Sequence, residues 1–413
     1  MPYPDLYPDF YPFDPTVAPF PDVKQGFTWY TLDDQLRRAQ VIESFKSFIW
    51  TERYSAFGDV SIVIKSTYSN RSLLAPGTML GMEGSTYVMI IDTIDDDTDN
   101  DGTRLLNITG KSFEAFLNER VAMPALANLN ETPAWVLTGT PGDIARQLFN
   151  EICIFKILSP HDSFPFCTGG TFPLAGNLIE PSDVITVSLA PDTLYNSIQK
   201  VCQTFGLGFR FVKDGDNGRV FFQVYVGSDR TSNQTIYPAV IFAPELDNLS
   251  QIRQLTSTAI VKTTAYVFSQ NGAVTVDAPT ANPDAIDAER RVLFVNSSNT
   301  SDAGPDLDAA LRNEGLIALA AQRTVYSFDG QLPPDVPYIY GRDYNLGDLV
   351  EEKTEAGFGN LMSVTEQIFV SDDQGDRSYP TLSIFQSIIP GSWVGFGTGE
   401  WIDEPLTVHW NDL

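Results

Sequence analysis

The sequence predicts a mainly β chain with an α+β insertion, arranged as two barrel-like modules and a lateral α+β module. Three observations carry this reading. Short β-rich runs recur at close spacing over 28–125. Between 126 and 244 two stretches switch to helical periodicity, each opened by a threonine start signal. Beyond 245 the strand pattern returns and holds to 390. A Pro/aromatic arm, 1–27, and a Trp/Gly-rich tail, 391–413, flank these modules.

The arm has prolines at 2, 4, 8, 12, 15, 19 and 21, interleaved with Tyr3, Tyr7, Phe10, Tyr11, Phe13 and Phe20. Proline fixes φ and removes a donor, which excludes a helix or a central strand. A solvated linker would leave these rings in water, so the expectation is an extended arm lying on a neighbouring subunit, with a disordered leader as the alternative. The first β-rich module then reads as strands over 27–32, 41–50, 60–65, 86–94 and 103–109, with a turn at 55–59. A helix is expected next, with Ser112 as N-cap and Phe113, Phe116, Leu117 and Arg120 along it.

In the middle module, Thr140-Pro-Gly-Asp143 is a helix start with proline in the first turn, and Ile144, Leu148, Phe149 and Ile152 share a face. A second helix starts near Pro191-Asp-Thr193. Leu194, Ile198, Val201, Cys202 and Phe205 recur along it, and Gly206 ends it. A hairpin follows, 207–213 and 219–226 around the turn 214–218. In the closing module, strands are expected at 260–269, 292–296, 338–340, 349–352 and 361–370. A helix is expected over 308–323. The tail carries Trp393, Trp401 and Trp410.

The charge balance excludes whole classes of function. With 26 Lys+Arg against 53 Asp+Glu, the net charge of −27 cannot neutralise phosphates or favour an anionic membrane. Cys153, Cys167 and Cys202 lack metal-ligand spacing and read as small buried apolar residues. No apolar run is long enough to span a bilayer, and the N-terminus has no secretory pattern, so no membrane anchor is expected.

Catalytic signals are thin. His161 and His409 sit in no nucleophile–base signature, no local pattern selects a carboxylate pair, and Gly395-Phe-Gly397-Thr-Gly399 has no lysine to complete a phosphate cradle. The expectation is no catalytic residue, no cofactor and no hydrolase activity. One metal pattern stands out: Asp97-Thr-Asp99-Asn-Asp101-Gly102 matches the first half of a calcium loop. The closing acid would fall at Ile108, which leaves a solvated acidic hairpin tip or a weak calcium site held by Asp97, Asp99 and Asp101.

The run from Tyr30 to Asp59, with Trp50-Thr-Glu-Arg-Tyr54 and Gly58-Asp59, resembles the opening of a minor tail protein family of long-tailed actinobacteriophages. Ile108-Thr-Gly110-Lys-Ser112, Gly341-Arg-Asp-Tyr-Asn-Leu-Gly-Asp348 and Val364-Thr-Glu-Gln367 follow in the family's order, so the resemblance covers about 28–390. It implies a likeness to the trimeric baseplate hub of contractile tails, with the β-rich segments as tube modules. The implied protein is structural, a homotrimer at the virion's tail tip, assembled in the host cytoplasm.

The implied partners are the distal tail protein or tail tube above, the C-terminus of the tape-measure protein, other minor tail or fibre proteins, and genomic DNA in transit. Trp50, Arg53, Gly58, Asp59, Arg342, Gly347 and Asp348 carry the motifs, and their expected role is architectural. Arg53 and Arg342 read as surface ion-pair partners. If the chain lines a DNA channel, the 95–101 run and Glu351-Glu352 are candidates for an acidic wall. The rival reading is a receptor-binding tail protein whose Trp393 and Trp401 stack on cell-wall sugars; a third is a cell-wall hydrolase.

Overall fold

The computed structural model describes residues 26–384, apart from 99–101, 126–134, 168–179, 215–216, 247, 249, 270, 279–285, 298–306, 321, 323–324, 332–337 and 354–358. The Pro/aromatic arm up to residue 25, Asp99, Asp101, His409 and the Trp-rich tail lie outside the described residues.

The first segment forms β1 (Trp29–Leu32), β2 (Arg38–Val41), β3 (Phe45–Arg53), β4 (Asp59–Lys65), β5 (Met79–Met82), β6 (Met89–Thr98) and β7 (Arg104–Ser112). A short helix α1 (Tyr68–Leu73) was not expected; Thr67 caps it by accepting from Asn70 N. The stretch expected as one strand over 41–50 breaks at Ser44, whose φ of 59° lies in the left-handed region. Ser112 does precede a helix, but a 3-10 one, Phe113–Glu119, and it does not cap it. Its hydroxyl accepts instead from Gly58 N at 2.7 Å.

The middle segment contains β8 (Val121–Ala122), β9 (Trp135–Gly139), α2 (Pro141–Phe149), β10 (Ile185–Leu189), β11 (Asp192–Thr193), α3 (Leu194–Thr204), β12 (Gly208–Lys213) and β13 (Val220–Tyr225). Both threonine caps form: Thr140 accepts from Asp143 N at 3.2 Å and Thr193 from Asn196 N at 3.1 Å. The apolar faces of α2 and α3 meet the β12–β13 hairpin in one aromatic-rich core, where Phe149 stacks on Phe222 at 4.3 Å and Phe164 on Phe211 at 4.0 Å.

The closing segment adds β14 (Ile241–Phe242), β15 (Ser250–Ser257), β16 (Thr264–Phe268), β17 (Ala273–Asp277), β18 (Val292–Asn296), α4 (Leu307–Ala320), β19 (Val325–Gln331), β20 (Leu349–Lys353), β21 (Gly359–Asp372) and β22 (Gly375–Ile384). The strand expected at 338–340 is only an isolated bridge between Tyr340 and Tyr344. Strands β17, β16 and β18 form a separate sheet that α4 covers.

The remaining strands of the first and closing segments join in a single 13-stranded sheet along the path β15-β19-β22-β21-β3-β4-β7-β6-β5-β1-β2, with β20 and β14 branching from β21. The joint is β3 against β21, antiparallel from Arg53–Glu366 to Ser47–Asp372. Strand β1 separates two cores. Trp29 faces the sheet's own core, stacked on Phe48 at 4.2 Å, whereas Tyr30 and Leu32 face the core of the helical segment.

Candidate functional site

The motif-bearing segments converge on a buried polar seam where the large sheet meets the α+β segment. Strand β3 sends Phe48, Trp50 and Glu52 to the same face by its two-residue alternation, and all three are buried. A carboxylate at an otherwise apolar position must find partners. Glu52 accepts from Trp50 Nε1 at 3.0 Å, from Tyr340 hydroxyl at 2.8 Å and from Ser85 hydroxyl. Burial pushes its carboxyl above the usual range, against the pull of these donors and of the nearby Arg210 charge.

Tyr54 closes the seam. Its hydroxyl donates to Gly206 O at 3.0 Å and approaches Tyr225 O at 3.1 Å, on the helical side. Its ring lies against Gly347, where an added Cβ would sit 2.3 Å from Tyr54 Cε2. Gly347 also has φ +86°, so the loop before β20 needs glycine for both conformation and closeness. Arg210 lies above the Tyr225 ring at 4.4 Å and donates to Gln223 at 2.8 Å. Tyr87 donates to Arg53 O at 3.2 Å.

Arg53 is half-buried and lies at the sheet joint, not on the open surface. It donates to Glu366 on β21 at 2.5 Å, to Phe57 O at 3.1 Å and to Asp59 on β4. It therefore ties β3 to both of its neighbours. Gly58 allows the turn between them: a Cβ there would meet Thr51 O at 2.2 Å. Asp348 is buried and accepts from Ser228 N at 2.6 Å and Asn345 N at 2.9 Å, with Arg230 at 3.4 Å. Burial raises its carboxyl to about 6 despite those donors. Arg342 is exposed and pairs with Asp343 at 2.7 Å, as a surface pair would.

A third buried acid, Glu114, sits in the 3-10 helix and accepts from Phe211 N at 2.6 Å. Burial raises it to about 7. Perturbed carboxylates often mark catalysis. Here, however, Glu52, Glu114 and Asp348 are each buried, at 1%, 1% and 2% exposure, and each accepts hydrogen bonds from the surrounding fold. What the arrangement does is lock segments far apart in sequence into one body.

The structure places the other expectations as follows. Asp97 is exposed near the end of β6, in the hairpin with β7, while its two supposed co-ligands lie outside the described residues. Among the described residues no group of three acids, cysteines or histidines is placed to hold a metal. His161 is exposed in a turn, and Cys153 and Cys202 are buried. Asp95 and Asp96 lie on the exposed stretch of β6. Contrary to the expectation of an acidic wall, Glu351 and Glu352 are buried, at 8% and 1% exposure, and do not face solvent. Glu351 accepts from Ser232 N at 2.5 Å, which helps to hold its carboxyl below the usual range.

The seam residues missed at the level of sequence are Tyr54, Glu52, Tyr340, Arg210 and Arg230. For Glu52 the signal was available: an acid in phase with Phe48 and Trp50 on one strand face. Arg210 faces Gln223 across the β12–β13 hairpin, so its signal was the hairpin register; Arg230 leaves no local pattern, because its partner Asp348 is distant in sequence.

A family model described as Siphovirus ReqiPepy6 Gp37-like protein matches residues 28–369. Among solved structures, a tail protein from Neisseria meningitidis MC58 superposes with a TM-score of 0.53 at 12% identity, covering 87% of this chain and 97% of that one. A 43 kDa tail protein of prophage MuSo2 from Shewanella oneidensis gives 0.50 at 12% identity, with the same coverage of 87% and 97%. At that identity the likeness is one of fold. No curated protein matches the chain.

Proposed function

The chain belongs to the Siphovirus ReqiPepy6 Gp37-like family, and from that premise we propose that it is a structural tail protein forming the central hub of the tail tip. Three copies make a ring that caps the tail tube, each presenting two β-rich segments, joined in one sheet, to the six-fold tube. The ring holds the C-terminal end of the tape-measure protein, anchors tip and fibre proteins, and opens for genomic DNA to leave. Its work is mechanical, with no covalent step. In the virion it sits at the tip of the tail, after assembly in the host cytoplasm.

The observation that carries the reading is the joint of β3 with β21. It fuses strands from both ends of the described chain into one wall, and the polar seam fixes the helical segment to that wall. A plate built this way transmits force between its edges without relying on flexible linkers. A reconstruction of the tail tip tests the proposal. Three copies directly below the tube are expected; one copy or six, or a position on a peripheral fibre, would refute it.

A further inference from the structure

Among the described residues, the sheet β17-β16-β18 is covered on one face only. Ala265, Val267 and Val276 are buried against α4, whose Leu311 and Leu319 close a small core. Strand alternation turns Tyr266, Phe268, Val292 and Phe294 to the opposite face. Phe294 is 67% exposed and Phe268 42%, yet their rings stack on each other at 5.3 Å. Arg290 Nη2 donates to Tyr266 hydroxyl at 3.1 Å, so a guanidinium borders this aromatic patch. Two exposed phenylalanines and a valine, bordered by a half-buried tyrosine and arginine, make a patch with the makeup of a docking surface.

The chain carries a segment of complementary chemistry. Tyr3-Pro4-Asp5, Tyr7-Pro8-Asp9 and Tyr11-Pro12-Phe13-Asp14 repeat a Tyr-Pro step every four residues, each followed by an acid. Proline-rich segments lose little entropy on docking, and aromatic-lined surfaces are their usual receptors. Tyrosine and proline rings can stack on the phenylalanine pair, and aspartates match the cation, which Asp277 of β17 already attracts from one side. The stretch between Asp14 and Gly26 is long enough to bridge roughly 40 Å as polyproline II, at about 3.1 Å per residue. We propose that the Tyr-Pro-Asp repeat of residues 3–14 docks on the outer face of β16 and β18, over Phe268 and Phe294, with an aspartate carboxylate on Arg290.

The proposal stands apart from the hub reading, since it concerns recognition within this kind of chain and not the number of copies. It is tested on the full-length protein with a photo-reactive benzoylphenylalanine in place of Phe294, a position exposed enough to leave the fold unchanged. After irradiation and digestion, cross-links should map to residues 3–14. Arg290→Glu should cut their yield at least several-fold, and Asp5→Lys with Asp9→Lys and Asp14→Lys in the same chain should restore it. Cross-links that map elsewhere, including to the same face of another copy, would overturn the proposal. So would the absence of any cross-link, or a yield indifferent to Arg290→Glu.

Discussion

The clamp on Tyr54 makes it the residue through which the sheet and the α+β segment are coupled. Tyr54→Ala removes a buried ring with two hydrogen-bonding contacts, and core truncations of this size cost about 3–5 kcal/mol. Gly347→Ala should cost a similar amount, because its Cβ collides with that ring and φ is positive. In the double variant the collision is gone and only the backbone strain of about 1 kcal/mol remains for Gly347→Ala. The two losses are therefore expected to be strongly non-additive in denaturant unfolding; additive losses would dissolve the clamp.

Glu114 offers a second test at this scale. Its folded-state value of about 7 lies above the ordinary 4.5, so its neutral form is the one the fold favours. Its contribution is fully present below pH 4.5 and is lost as pH rises through 7. Glu114→Gln should abolish that loss, which amounts to about 3 kcal/mol at most at about 1.36 kcal/mol per unit. Parallel unfolding curves for the two proteins across this window would contradict the assignment.

Strand β21 is the element on which the two halves of the sheet depend. At Ile368 it pairs with Thr51 of β3 on one side and Tyr379 of β22 on the other. Ile368→Pro is expected to cost about 3 kcal/mol or more, read as a lowered melting temperature or loss of soluble protein. A wild-type melting temperature would mean that the joint contributes little. The fold itself tolerates Pro380 in β22, because β19 pairs with β22 only at Thr381–Ser383 and leaves Pro380 on the edge.

Elements of this kind divide what was legible in the sequence from what was not. Helices α2 and α3 were legible because their threonine caps and apolar stripes are local. The hairpin β12–β13 and strands β4, β7 and β21 were legible from alternation bounded by turns. The pairing of β3 with β21 was not, since strand register across more than 300 residues leaves no local mark. The three-stranded sheet under α4 was hidden for the same reason: its strands look like those of the large sheet until their partners are known. Of the candidate site, Trp50, Gly58, Gly347 and Asp348 were picked out as architectural. Tyr54 stands in the same motif, but its ring meets Gly347, Gly208 and Tyr225, contacts that no local pattern marks.

At the scale of the whole molecule, charge is the dominant unassigned property. Each chain carries −27, so a three-copy ring carries three times that. Two explanations compete. Acidity could line a channel, since DNA bears about one negative charge per 1.7 Å and a basic wall would hold it by releasing counterions. Alternatively it could keep an assembly-prone protein soluble before docking. Because Glu351 and Glu352 are internal, a lumenal wall must draw on exposed acids such as Asp95 and Asp97 on β6. The two explanations separate by where the acids lie in the ring. A channel requires them on the inner surface, with lysines rare there; solubility requires them only on the outside. The expectation is an acidic inner surface in a map of the tail tip. Replacing Asp95 and Asp97 together by lysine should then slow DNA release from assembled virions, and more so at low salt, where the screening length grows from about 8 Å at 0.15 M to about 30 Å at 0.01 M. A neutral or basic inner surface, or release kinetics unchanged at both ionic strengths, would remove the channel explanation and leave solubility as the reason for the charge.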